Sequence, residues 1–255
     1  RYLDGGGFLE EMEQSVRLLK TDENFRRLFF VPGKIEQLSS IVEEMRDFLS
    51  QEEKIVEGKA GFFSTAKMET INSRLVTLRD IIWAAERDVL WNVGRIVELS
   101  GAVRAGEVSP QSLKKYKKLN FLLNSLDRLE VRGRDSAGLQ IAFALAESAA
   151  DRILDILAEN GLTEEFAGRK RGGDLVNGSI SASTVQHSRS AGESGAFLSF
   201  SYKTSSIVGE LGLNGANLRK IIRGDRVFQA LAECEDVFDT ACLHTRWASV
   251  GSITE

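Results

Sequence analysis

Proline, cysteine and histidine each occur only twice in this chain of 255 residues, and tryptophan only three times. Cys234 and Cys242 stand without metal-ligand company, which excludes a disulfide-stapled secreted scaffold and sets the expectation of a cytoplasmic protein with free thiols. His187 has no partner at metal-ligand spacing, so neither a metal nor a cofactor is expected. No apolar run approaches the roughly 18–20 residues that cross a bilayer, so no membrane partner is expected. Charge of one sign is also missing. Thirty-three basic residues face 37 acidic ones for a net charge of −4, which leaves no broad basic footprint for nucleic acid.

What the chain does have is apolar periodicity, within a hydrophobic content of 42% that suffices for a substantial core. In KIEQLSSIVEEMRDFL, residues Ile35, Leu38, Ile41, Val42, Met45, Phe48 and Leu49 form one stripe of a 3.6-residue period, with Glu and Arg opposite. Pro32-Gly33 marks the break before it. An earlier stretch, 8–20, aligns Phe8, Met12, Val16 and Leu19, and a longer one, 65–100, carries Met68 through Ile96 and stops at Gly101. Pro110 suits the first turn of a further helix that runs to about Glu130. Residues 8–130 therefore predict an antiparallel helical array.

After Glu130 the pattern changes. AGLQIAFAL is a short apolar run bounded by glycine and reads as a buried strand; a helix over about 147–160 follows. The Gly/Ser-rich stretch 168–195 has little to bury and predicts a flexible loop. AFLSFSYKTS alternates as a strand does, with Leu198, Phe200 and Tyr202 opposing Phe197, Ser199, Ser201 and Lys203. A helical stretch near 217–235 leads into DVFDTACLHTRW, a further strand. Strands confined to the second half predict an α+β fold.

Several features carry no chemistry on this reading. KKYKK at 114–118 is expected to be a solvated helix face, and both cysteines are expected to be small buried hydrophobes. GELGLNG lacks the strand-turn-helix setting and the spacing of a dinucleotide loop. Two segments stand above them. LDRLEVRGRDSAGLQI, 126–141, places Arg132 and Asp135 in a turn of small residues ahead of the buried strand. The arginine there can hold a carboxylate or a chain terminus, or simply staple the turn to Asp135. LHTRWASVG, 243–251, sets the guanidinium fork of Arg246 at a strand end, suited to bidentate carboxylate recognition, beside the ring of Trp247.

Together, RLEVRGRDSAG and HTRWASVG resemble the class II glutamine amidotransferase domain of the glucosamine-6-phosphate synthase family, whose pattern is close to RLEYRGYDSAG and HTRWATHG. The first motif is also similar to one in amidophosphoribosyltransferases, but HTRWA favours the synthase branch. The resemblance covers about 124–146 and 197–255. It implies an N-terminal helical subdomain, 1–123, inserted into a partial N-terminal-nucleophile-hydrolase-like sheet, 124–255. It also implies roles. Arg246 would bind the α-carboxylate of L-glutamine, Trp247 would belong to a loop closing over the site, and Ser249, where the family has threonine, would help bind substrate. Arg132 would support the catalytic residue, with His244 and Asp135 structural nearby. Val250 replaces a histidine common in the family.

The family's nucleophile is an N-terminal cysteine whose own α-amino group, with an ordinary pKa of about 7.7–8.0, acts as base. Residue 1 here is arginine, and no cysteine precedes Cys234. The expectation is therefore a fragment, inactive alone, of a homo-oligomeric amidotransferase. Its parent would hydrolyse glutamine to supply ammonia for glucosamine 6-phosphate synthesis, and a synthase domain outside this chain would bind the sugar phosphate. The alternative is a non-catalytic helical interaction or regulatory module that keeps a decayed amidotransferase sheet.

Overall fold

A computed structural model describes residues 6–133, 135–145, 147–172, 176–186, 194–205, 210–234 and 238–246. The fold is α+β, mostly helical with one small antiparallel sheet. Two compact units divide it, Arg1–Arg95 with Arg104–Glu107, and Ile96–Val103 with Val108–Glu255.

The first unit is helical. Helices α1 (Gly6–Leu19), α3 (Lys34–Gly58) and α4 (Thr65–Trp83) fall on the predicted stripes, and α2 (Asp22–Phe30) is a further helix between the first two. Gly33, at φ 77°, supplies the left-handed turn that starts α3. Val42, Leu49 and Val56 of α3 share one core cluster with Ile71, Leu75, Leu78 and Ile82 of α4, whereas Ile41 and Phe48 of the predicted stripe stay exposed. The long predicted helix over 65–100 is continuous but widens into a π-helical segment, Ala84–Leu90, before α5 (Trp91–Ser100). Gly101, at φ 72°, ends it.

In the second unit α6 (Pro110–Leu129) is the central strut. Ser109 caps it by accepting a hydrogen bond from the Ser112 amide at 3.1 Å, and Pro110 occupies the first turn. Strands β1 (Ser136–Leu145), β2 (Ser179–Gln186), β3 (Ser194–Ser205) and β4 (Phe238–Arg246) form one sheet in the order β2-β3-β1-β4, antiparallel throughout. Helices α7 (Glu147–Glu159), α8 (Thr163–Arg171), α9 (Leu213–Gly224) and α10 (Arg226–Ala232) complete the unit. One sheet face is apolar. Leu139, Ile141 and Phe143 of β1 and Leu198, Phe200 and Tyr202 of β3 are all buried. The ring of Phe228 on α10 meets Phe200 edge-on at 5.5 Å and Tyr202 at 6.2 Å.

The structure corrects three expectations. The stretch 168–195 is not one loop: its first residues end α8, and Ser179–Gln186 is a strand paired with β3. Lys115 does not belong to a solvated face. It is buried, and its ammonium donates to the carbonyls of Ala232 (2.9 Å) and Cys234, satisfying the end of α10 that the helix itself leaves open. Cys234 is buried as expected, whereas Cys242 is exposed, because it sits opposite Gln140 on the polar face of the sheet. His187 lies outside the described residues.

Candidate functional site

The two motifs, far apart in sequence, meet at one end of the sheet. The register places Ser136 opposite Arg246 and Gly138 opposite His244, and the Asp135 amide extends the ladder by donating to the Arg246 carbonyl at 3.1 Å. Arg246 and His244 are exposed on the polar face, two residues apart and so on the same side of the strand. On the other side of β1, Lys203 of β3 stands opposite Gly138. A row Lys203–Gly138–His244 therefore crosses the sheet, next to a row Ser205–Ser136–Arg246.

Gly138 is there for space, since its φ is not positive. A Cβ at this position would lie 3.0 Å from both imidazole nitrogens of His244, which leans over the glycine. Removing one side chain thus lets the histidine lie across the neighbouring strand. Among the described residues neither Arg246 nor Arg132 makes an ion pair, and Arg132 is exposed in the turn after α6, its amide donating to Leu129. Trp247 and Ser249 lie outside the described residues.

What holds this end of the sheet is a set of buried polar contacts that the sequence did not reveal. Glu130, fully buried, accepts from the amides of Gly212 and Gly215 (3.1 Å for the latter) and so caps α9 with a carboxylate. This occupies the helix N-terminus of GELGLNG with an internal anion. Arg219 of α9, equally buried, donates to Asn120 at 2.8 Å and Asn124 at 2.6 Å on α6. Asn177 pairs with both backbone groups of Lys203 at 2.8 Å, continuing the ladder where β2 has not yet begun. Asp225 gathers the most partners of these groups. It accepts a forked pair from Arg169 at 2.7 and 2.6 Å, the Tyr202 hydroxyl at 2.6 Å and the Phe228 amide at 2.9 Å. Burial pushes the Tyr202 phenol well above its ordinary pKa, and the Asp225 charge adds to it. Burial opposes the charge of Arg169, but its hydrogen bonds and charge pairing with Asp225 outweigh that and raise its pKa. These groups bind one another or the backbone of neighbouring elements, so they serve as scaffold. The exposed His244 and Arg246, beside the part-buried Lys203, are the part able to meet a ligand, and the guanidinium of Arg246 suits an anion.

Compared with protein-family models, with curated proteins and with solved structures, the chain matches none.

Proposed function

We propose that residues 124–255 are part of the glutaminase site of an amidotransferase of the glucosamine-6-phosphate synthase type, with Arg246 holding the α-carboxylate of glutamine. One observation carries the reading: Ser136–Gly138 of the first motif and His244–Arg246 of the second pair as adjacent antiparallel strands, with the guanidinium of Arg246 exposed and, among the described residues, without an ion pair. A structural arginine at this position would be expected to have found an internal acid, as Arg169 has. Arg132, Asp135 and His244 support the strand end, and Trp247 and Ser249 complete the carboxylate pocket from the next loop. The cysteine nucleophile, the oxyanion donors and the sugar-phosphate domain come from residues other than these. Ammonia released there would serve glucosamine 6-phosphate formation.

The test is Arg246→Lys in the full-length enzyme. Lysine keeps the charge and loses the planar fork. Breaking a charge-assisted, bidentate hydrogen-bonded pair in this way costs about 1.5–3 kcal/mol, roughly 10- to 150-fold in kcat/KM for glutamine. Activity with free ammonia is expected to survive. Equal loss of both activities would make Arg246 a structural residue, and unchanged glutamine kinetics would end the proposal.

A further inference from the structure

The first unit has a site of its own, independent of the glutamine reading. Helices α1, α3 and α4 leave a cavity of about 570 Å³ between them, walled by Phe8, Leu9 and Met12, by Ile41, Met45 and Phe48, and by Leu75 and Leu78. Its walls on α3 are residues 41, 44, 45, 48 and 52, one continuous stripe that runs about 16 Å at the helical rise of 1.5 Å per residue. The trough is open along its length: Phe8, Ile41 and Phe48 are 66%, 44% and 46% exposed. Phenylalanine and isoleucine left that far in water, in line along a groove, mark a surface with an occupant rather than a core. The floor carries Met12 and Met45, whose unbranched thioethers adapt to a variety of apolar shapes.

Charge settles which occupant fits. The α3 wall of the trough carries the carboxylates of Glu44 and Glu52, about 12 Å apart along the helix axis, while the α4 wall carries Arg74. Two carboxylates against one guanidinium make the lining net acidic. We propose that the trough receives an amphipathic helix from a partner protein. Its apolar residues recur at i, i+3 or i+4 and i+7, and lysines or arginines seven or eight positions apart on one edge meet Glu44 and Glu52. An apolar stripe of about three turns laid into a groove is an established mode of peptide recognition, and the spacing of the two carboxylates fixes the spacing of the basic residues.

The experiment uses the 255-residue chain and two fluorescein-labelled synthetic helices with the same leucine stripe. One carries lysine and the other glutamate on the edge that faces α3. Anisotropy titrations are expected to show the lysine helix binding about tenfold or more tightly than the glutamate one, the difference expected when two exposed ion pairs become like-charge pairs. The double substitution Glu44→Lys, Glu52→Lys should reverse that preference. Met45→Asp should abolish binding of both, with the helical circular dichroism unchanged. Equal binding of the two helices, binding of neither, or a preference untouched by the charge reversal overturns the proposal. So does a concentration-dependent dimer lost in Met45→Asp, which would give the trough to a second copy. One-to-one binding of 1-anilinonaphthalene-8-sulfonate in the trough with no peptide binding would make it a small-molecule pocket and overturn the proposal equally.

Discussion

Asp225→Ala is the most informative single change in the sheet unit. The side chain is 5% exposed and that of Arg169 19%, so the pair is well shielded from water. Truncation removes four accepted hydrogen bonds at once: two from Arg169, one from Tyr202 and one from the first turn of α10. Loss of a helix cap alone costs about 0.5–2 kcal/mol. A phenol left unsatisfied costs about 1–3 kcal/mol, and a buried charge deprived of its partner about 3–5 kcal/mol. These losses overlap, because all pass through one carboxylate, so the expected total is about 3–5 kcal/mol. Circular dichroism would mix this unit with the helical one, and unfolding of two units need not be two-state. Native-state hydrogen exchange at the amides of β3 and α10 reads the sheet unit directly. Those amides should exchange roughly a hundred- to several-thousandfold faster, at about 1.4 kcal/mol per tenfold. Arg169→Met added to Asp225→Ala should cost little more, since the guanidinium it deletes is already without its partner. A loss below about 1 kcal/mol, or strict additivity of the two substitutions, would refute the view that Asp225 pins α8, β3 and α10 together.

Gly138→Ala should disturb the site through His244 rather than through the backbone. A double-mutant cycle with His244→Ala should show a coupling of about 0.5–3 kcal/mol that disappears when the imidazole is gone; no coupling would mean that His244 simply swings away. Thiol labelling of the native protein should modify Cys242 rapidly and Cys234 only on unfolding, and two equally fast thiols would contradict the placement of β4. Stability should fall at alkaline pH. Burial, with Asp225 nearby, raises the Tyr202 phenol, and burial, with Glu233 and then Asp225, raises Tyr116. Below about pH 10 both phenols stay protonated folded or unfolded, and their contribution is intact; above it the unfolded chain loses these protons first, so folding weakens as pH rises toward the folded-state values. Tyr202→Phe should flatten part of that decline in an alkaline denaturation series, and an unaltered slope would argue against it.

Apolar periodicity made most of the helices and three of the strands legible, because each of them buries a stripe or an alternating face that its own residues define, though it did not reveal α2 or α8. Strand β2 was not legible for the same reason. SISASTVQ offers Ile180 and small polar residues, and its extension comes from pairing with β3, a non-local cause. Lys115 misleads differently. Four lysines at 114, 115, 117 and 118 cannot all share one helix face, and Ser112, Tyr116 and Leu119 define a buried stripe on which Lys115 falls. Helical geometry outweighs residue type there, and the carbonyls at the end of α10 supply the partners that make the burial tolerable. The motif pair was legible as residue types, but its juxtaposition was not, since that depends on register. Slipping β4 by one residue against β1 would turn His244 and Arg246 onto the face that holds Phe143 and Phe200. That face is packed with rings, and the carboxylate beside it, Asp225, is already engaged by Arg169. The apolar alternation of β1 and β3 therefore fixes His244 and Arg246 of β4 outward. The exposed row beside Lys203 is thus a consequence of the core beneath it, and a ligand-binding role for Arg246 requires no further device to present it.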